Sequence, residues 1–141
     1  MDWIERVPER PGEWTEWVSF ARAAGKPVLL GFNAADFGRK LETLGDGEIV
    51  AGAMRALRGI YGDAIADPNG HQITRWASDP YALGSYSFNP VGCDPKMRDD
   101  LAASVGGRLH FAGEATMRKH FATTHGAYLS GLRAARAISA G

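Results

Sequence analysis

The sequence predicts an α/β fold, because segments with helical and with strand-like apolar patterns occur in one chain. The clearest helix begins near Asp46 and ends at Gly62, where apolar side chains recur at the three- and four-residue spacing of one helix face. The clearest strand is 28–32, a continuous apolar run typical of a buried strand. Further along, a short apolar strand with Leu109 and Phe111 leads into a helix rich in small residues.

The same patterns predict the other elements of the first half. A first helix over 13–24 has Trp14 and Trp17 on one side and ends at Gly25. A second helix begins at residue 34 or 35 and ends at 44, and Asp46 is expected to cap the third helix. A turn at 67–70 precedes a predicted strand at 72–77.

A long loop, a short helix and a glycine pair follow in the second half. Asp79 and Pro80 end the predicted strand, and the loop continues past Pro95 to a short helix at 97–103. Gly106 and Gly107 mark the predicted boundary between two segments, 1–105 and 106–141.

The composition is that of an ordinary globular protein. The 141 residues include 16 basic and 16 acidic side chains, and 45% of all residues are apolar. The sequence has no basic stripe, no apolar run of about 20 residues and no signal-peptide pattern. We therefore expect a cytoplasmic protein with no nucleic-acid partner and no membrane span.

Cysteine and histidine give no sign of a disulfide, a catalytic thiolate or a metal centre. Cys93 is the single cysteine and lies in a turn-rich loop. His110, His120 and His125 do not show the i, i+4 spacing that places two imidazoles on one face of a helix. We therefore predict no metal ligands.

Gly113 and Glu114 form a turn suited to a ligand. Gly113 allows a tight turn and a close approach of the backbone. A carboxylate repels a bare phosphate but accepts a hydrogen bond from a hydroxyl, so a sugar-like hydroxyl is one expected partner of Glu114. A Glu in the first turn of a helix, stabilised by the helix dipole, is the other explanation, and Glu114 taken alone favours it.

The final helix, from about Thr124, has a face of small side chains that includes Ala127 and Gly131. Gly126 and Gly131 each cost roughly 1 kcal/mol relative to alanine inside a helix, which predicts a sheet or a flat ligand close to the backbone. Free N–H groups at Thr123 and Thr124, with the positive end of the helix dipole, predict an electron-rich group at the helix start.

These motifs together resemble the flavin amine oxidases, the family of monoamine oxidases, polyamine oxidases and lysine-specific histone demethylases. F-A-G-E-A-T at 111–116, followed by H-G-A-Y-L-S-G-L-R-A-A at 125–135, is similar to the C-terminal flavin motif of that family. Upstream, its substrate-binding half is matched in order and spacing by G-K-P-V-L-L-G-F at 25–32, L-R-G-I-Y-G at 57–62 and T-R-W-A-S-D-P-Y-A-L-G-S-Y-S at 74–87. The resemblance favours a ligand role for Glu114.

The resemblance implies FAD as the cofactor and gives roles to individual residues. It makes 1–105 an α+β substrate-binding segment and 106–141 the C-terminal strand and helix of a Rossmann-like FAD-binding domain. Tyr86 would line the amine site with Ala122 and Thr123, although the aromatic density of this loop alone is more typical of a core. The implied cofactor-binding residues are Trp76 near the flavin ring, Gly113 and Glu114 at the ribityl-pyrophosphate region, and Thr123, Thr124 and Ala127 on the final helix.

Three departures from the family pattern limit what the resemblance implies. Ala122 and Thr123 stand where the monoamine oxidases have a tyrosine, so the implied pocket is roomier and would admit a bulkier or polymeric amine. No G-x-G-x-x-G is present, because Val50 follows Gly45 and Gly47 where a third glycine is needed. The family's lysine near the flavin also has no counterpart here. The chain is therefore expected to be the C-terminal portion of a longer protein, and no catalytic residue is assigned.

The leading hypothesis is FAD-dependent oxidation of a small-molecule amine to an imine. One alternative is a truncated fragment or half-subunit that needs a missing N-terminal half, a partner chain or a second copy of itself. Another is an interaction module that binds no cofactor, and a third is a desaturase or protoporphyrinogen-type oxidase of the wider flavin superfamily.

Overall fold

The computed structural model describes residues 2–140, which belong to two compact units. The first unit ends at Tyr81 and the second begins at Ala82. This division follows backbone packing. The division into 1–105 and 106–141 concerns the ligand that each segment would hold, and it stays a prediction.

A three-stranded antiparallel sheet opens the first unit. Its strands are β1 (Trp3–Glu5), β2 (Glu16–Ser19) and β3 (Leu29–Phe32), in the order β1-β2-β3. The predicted helix over 13–24 is wrong, because 16–19 form the central strand and only Ala21–Ala24 (α1) is helical. Trp17 and Val18 favour a strand, and hydrogen-bonding partners on both sides outweigh the helical spacing of the apolar residues.

The predicted strand at 28–32 is confirmed over Leu29–Phe32, but its predicted burial is wrong. As the last strand in the order, β3 is at an edge of the described sheet, and Leu29, Leu30 and Phe32 are all exposed. Gly31 lies opposite Trp17, and a Cβ at Gly31 would come within 2.8 Å of the Trp17 ring. Close packing of this indole therefore requires glycine at position 31.

Two helices complete the core of the first unit. They are α2 (Ala35–Leu41) and α3 (Asp46–Tyr61), and α3 ends at Gly62 as predicted. Asp46 does not cap α3: Gly45 is the N-cap residue, and its N–H donates to the Glu48 carboxylate at 3.2 Å. The buried apolar residues of this core are Trp14, Trp17, Ile49, Met54, Ala56 and Leu57, with the Trp14 and Trp17 rings stacked.

The predicted strand at 72–77 is wrong, because this segment is a loop. The side chain of Glu42, at the end of α2, accepts hydrogen bonds from the N–H groups of Ala77 at 3.0 Å and Ser78 at 2.8 Å. The Arg75 guanidinium donates to the carbonyl oxygens of Glu42 at 2.7 Å and Leu44 at 3.1 Å. These side-chain contacts, distant in sequence, take the place of a strand ladder.

The second unit contains α4 (Met97–Ala102), a one-turn 3₁₀ helix (Glu114–Thr116) and α5 (Thr124–Ser139). Both predicted helices are confirmed here. The predicted strand with Leu109 and Phe111 is wrong: a single bridge joins Val105 to Leu109 across Gly106 and Gly107, which have φ of +59° and +66°. The glycine pair therefore forms a tight turn inside this unit.

Helices together with a small sheet agree with the predicted α/β class. Within residues 2–140, no helix has both the length and the hydropathy that a membrane span requires.

Candidate functional site

The second unit contains all the predicted site residues except Trp76, which belongs to the first unit. They lie on three segments: the loop before α4, the turn that opens the 3₁₀ helix, and the start of α5. In chain order they are Tyr86, Gly113, Glu114, Ala122, Thr123, Thr124 and Ala127.

The Glu114 carboxylate connects these three segments. Its Oε1 accepts the Ser87 N–H at 2.8 Å, and its Oε2 accepts both the Ser87 hydroxyl at 2.7 Å and the Ala122 N–H. Burial raises the pKa of Glu114, but the hydrogen bonds from Ser87 and Ala122, with the nearby charge of Arg98, outweigh burial and lower it. Glu114 is therefore held as a carboxylate.

Gly113 is fixed to the final helix by a buried hydroxyl. Ser130 is fully buried, and its Oγ accepts the Gly113 N–H at 2.7 Å while donating to the Ala127 carbonyl at 2.6 Å. Gly113 has φ of +137°, a conformation that favours glycine. Apart from its chain neighbours, no atom of residues 2–140 lies within 4 Å of a Cβ at this position, so the space in front of the Gly113 backbone is open.

The start of α5 has both capped and free N–H groups. Thr123 is the N-cap residue, and its hydroxyl oxygen accepts the Gly126 N–H at 3.0 Å. Among residues 2–140, the N–H groups of Thr124 and His125 have no hydrogen-bond acceptor. These two donors and the helix dipole favour an electron-rich group at this end of α5.

The glycines of α5 have a different explanation from the predicted one. A Cβ at Gly126 would lie 1.9 Å from the His120 carbonyl oxygen, so the chain's own backbone requires this glycine. Apart from the nearby backbone of α5 itself, no atom of residues 2–140 lies within 4 Å of a Cβ at Gly131. The expectation that a sheet or flat ligand explains both glycines is therefore wrong for Gly126.

Ala122 has an unusual backbone conformation at the same junction. Its φ is +57°, which costs a residue with a Cβ roughly 1–2 kcal/mol. Such a conformation persists only where surrounding contacts determine it. The hydrogen bond from Ala122 N–H to Glu114 is one such contact, and the bond from the Thr123 hydroxyl to the His120 carbonyl at 2.7 Å is another.

Arg98, on α4, is a residue of this region that sequence reasoning missed. It is 6% exposed, and its guanidinium donates to Asn89 Oδ1, to Ser87 Oγ at 2.7 Å and to the Ala115 carbonyl at 3.1 Å. The guanidinium carbon also lies 4.0 Å from the centre of the Phe121 ring. No spacing signal marks this arginine, because all its partners come from other segments.

The two predicted aromatic site residues are both exposed. Tyr86 is 67% exposed and Trp76 is 48% exposed, so neither ring belongs to the core that aromatic density alone suggested. The backbone after Trp76 is held by the Glu42 carboxylate, which accepts the Ala77 N–H, and the side chain of the preceding Arg75 donates to the Glu42 carbonyl. The ring is therefore exposed, while the residue that follows it is held in place.

Comparison with known proteins identifies the family. Residues 1–139 match the family described as flavin containing amine oxidoreductase. The chain belongs to this family. FAD is accordingly the cofactor expected of the protein, in agreement with the prediction from the sequence motifs.

Curated relatives carry histone demethylase names. The chain is 43% identical over 136 residues to "Lysine-specific histone demethylase 1 homolog 3" of Oryza sativa subsp. indica. This alignment covers 94% of this chain and 17% of that protein. It is 44% identical to "Protein FLOWERING LOCUS D" of Arabidopsis thaliana over 91% of this chain and 17% of that protein. It is 48% identical to "Histone demethylase-like protein A" of Aspergillus fumigatus over 83% of this chain and 11% of that protein. The chain thus spans about a sixth of the length of the first two relatives and less of the third.

The residues present fit one part of an FAD site. The open backbone at Gly113 leaves room for a ligand, and the free N–H groups of Thr124 and His125 can donate to one. Oε1 of Glu114 accepts one hydrogen bond within the chain, so it can accept another from a ribityl hydroxyl. Ala127, half-buried on α5, adds no bulk beside these groups.

Proposed function

We propose that this chain is part of an FAD-dependent amine oxidase. The observation that carries the proposal is the convergence of three segments at the Glu114 carboxylate, which takes hydrogen bonds from Ser87 and Ala122. Those segments bear the residues that the sequence motifs assign to the cofactor and to the amine. Membership of a family of flavin-containing amine oxidoreductases supports the same reaction class.

The residues of this chain would bind and orient. When bound, FAD accepts the hydride equivalent that an amine loses in becoming an imine. Gly113 and Glu114 would hold the ribityl-pyrophosphate region, and the N–H groups at the start of α5 would stabilise negative charge at the pyrimidine edge of the flavin. Tyr86 would present an aromatic face to the substrate cation. We assign no proton transfer to this chain.

The proposed substrate class is an N-methylated lysine side chain within a peptide. The relatives named lysine-specific histone demethylase support this choice over a free monoamine. Ala122 and Thr123 support it as well, because they replace the tyrosine of the monoamine oxidases and would leave room for an amine attached to a polymer.

An anaerobic reduction experiment tests both parts of the proposal. The full-length protein that contains this chain is loaded with FAD and mixed with an N-methyl-lysine peptide, with spermine or with benzylamine. We expect the peptide to bleach the visible flavin absorbance. Bleaching by spermine or benzylamine alone would overturn the substrate class, and absence of bleaching by any amine would overturn the oxidase.

A second candidate is a half-subunit that binds FAD only when another polypeptide covers it. The exposed apolar residues of β3 favour this candidate, because Leu29, Leu30 and Phe32 are available to a partner. Size-exclusion chromatography with and without FAD distinguishes the two. A yellow monomer would exclude the need for a partner, whereas binding of FAD only in a larger assembly would support it.

The compartment and the other partners stay predictions. A cytoplasmic location and the absence of a nucleic-acid partner are expectations from the sequence alone, and an interaction module without cofactor is an alternative hypothesis.

A further inference from the structure

We propose that Arg98 is a positioning residue, which acts through Ser87 to hold Glu114 and the start of α5 in the arrangement that receives the cofactor. The inference rests on the proposed function, since it concerns how residues of this chain are arranged toward FAD. It adds a residue to which neither the sequence motifs nor the family resemblance gives a role.

The first argument is the burial of a charge that has no direct hydrogen bond to a carboxylate. Arg98 is 6% exposed, and a guanidinium at such depth is normally paired with a carboxylate because desolvation of a charge is costly. Within residues 2–140 its hydrogen bonds go to Asn89, Ser87 and Ala115, and none goes to a carboxylate. Because burial of such a charge is costly, we infer that the guanidinium has a role in holding the segments that accept its hydrogen bonds.

The second argument is the path by which the charge is balanced. Arg98 donates to Ser87 Oγ at 2.7 Å, and Ser87 Oγ donates to Glu114 Oε2 at 2.7 Å. One hydroxyl therefore joins a buried cation to the carboxylate at the centre of the candidate site. The same Oε2 accepts the Ala122 N–H, so the path continues to the residue before the N-cap of α5.

The third argument is the convergence of segments on one guanidinium. Arg98 contacts Ser87, Ala115 and Phe121, each of which adjoins a predicted site residue in the sequence. The planar guanidinium has five donors in a fixed arrangement, so it can hold several segments at once. A lysine could not hold all of them.

A double-mutant cycle in the full-length protein tests the proposal. The variants are Arg98→Met, Glu114→Gln and the double variant, and the measurements are the Kd of FAD and the visible circular dichroism of the bound flavin. We expect each single variant to weaken FAD binding about tenfold or more. We expect the double variant to bind no more weakly than the worse single variant, because both act on one path.

Arg118→Met is the matched control. Arg118 pairs with Asp99 on the exposed surface at 3.2 Å, so its loss removes an arginine from the same unit without touching the site. We expect FAD affinity and the flavin spectrum to be unchanged. Additive effects of Arg98→Met and Glu114→Gln would overturn the proposal, since a purely structural role of Arg98 would not depend on Glu114.

A readout without FAD separates this inference from the proposed function. Hydrogen exchange of the Ala122 amide, which donates to Glu114, should become faster in Arg98→Met and unchanged in Arg118→Met. If the unmodified protein binds no FAD, the proposed function fails, and faster Ala122 exchange in Arg98→Met would still support the positioning role. Unchanged exchange would overturn the positioning role.

Ser87→Ala carries the test if Arg98→Met does not fold. This variant removes only the hydroxyl between the two charges and leaves the bonds from Arg98 to Asn89 and Ala115 available. Faster Ala122 exchange and weaker FAD binding would support the proposal, and unchanged values of both would overturn it.

Discussion

Single hydrogen bonds between residues far apart in sequence hold the candidate site together. Ser130 fixes the Gly113 turn, and Glu114 fixes both Ser87 and Ala122. Each of these bonds satisfies a backbone N–H that would otherwise lack a protein partner. The site therefore depends on a few polar side chains more than on apolar packing.

Ser130→Ala should destabilise the second unit. The substitution removes the acceptor of the Gly113 N–H at a position that is fully buried, so we expect a loss of about 1–3 kcal/mol in the free energy of unfolding. Ser139→Ala is the control, because its hydroxyl is exposed and bonds only within the same helix. Its effect should stay within about 0.5 kcal/mol. Equal effects of the two substitutions in urea unfolding would contradict the assigned role of Ser130.

Glu114 should make the stability of the chain depend on acid pH. Because its pKa is lowered in the folded chain, the unfolded chain binds the proton more readily. The stabilisation is fully present above the ordinary pKa of 4.5 and is lost as the pH falls through the lower folded value. Unfolding measured between neutral and acid pH should show this loss, and Glu114→Gln should remove that part of the dependence. The same acid loss in both proteins would show that another group is responsible.

At the scale of elements, the beginning of α5 is determined by contact with the preceding loop. The His120 carbonyl approaches the helix at Gly126 and also accepts the Thr123 hydroxyl. This contact fixes where α5 starts and which of its N–H groups remain free. The small residue at position 126 thus shapes the helix terminus and need not contact a ligand.

Substitutions of the two glycines of α5 should have opposite effects. Gly126→Ala places a Cβ 1.9 Å from the His120 carbonyl oxygen, so we expect it to destabilise by about 2 kcal/mol or more. The Cβ of Gly131→Ala meets no atom of residues 2–140 within 4 Å apart from the nearby backbone of α5, so this substitution should stabilise the helix by about 0.5–1 kcal/mol. Thermal unfolding monitored by circular dichroism checks both. A stabilising Gly126→Ala would contradict the described loop contact.

At the scale of the whole molecule, the described residues leave much apolar surface in contact with solvent. The buried apolar core consists of six residues, all in the first unit, while twenty-three large apolar side chains in residues 2–140 are exposed. That imbalance is unusual for an isolated soluble domain of this length. In the described part of the second unit, the buried side chains are polar: Arg98, Thr116 and Ser130.

The chain produced alone should therefore associate with itself or bind apolar dyes. We expect light scattering to give a mass above that of one copy, or 8-anilinonaphthalene-1-sulfonate fluorescence to increase on mixing with the chain. Leu30→Lys on the exposed edge strand β3 should reduce the association, because a charge on an edge strand opposes pairing with another chain. A monomer that binds no dye would show that the exposed surface needs no cover.

The successes and failures of sequence-based prediction follow the range of the interactions. Helices α3 and α5 were predictable, since the spacing of apolar or small residues and a terminal signal such as Gly62 are local in the sequence. The strand β2 was mistaken for a helix because its pairing with β1 and β3 is not local. The loop that follows Gly70 was mistaken for a strand, because two of its N–H groups donate to the carboxylate of Glu42, about thirty-five residues away.

By itself, the sequence determined the family and its flavin cofactor, because ordered motifs such as F-A-G-E-A-T can be recognised in the sequence alone. It also determined the local elements that short-range spacing encodes. Only the tertiary structure decided that Glu114 joins three segments and that Arg98 is linked to Glu114 through the Ser87 hydroxyl. Those partners are separated by up to 27 residues, and no periodic signal connects side chains that meet only after the chain has folded.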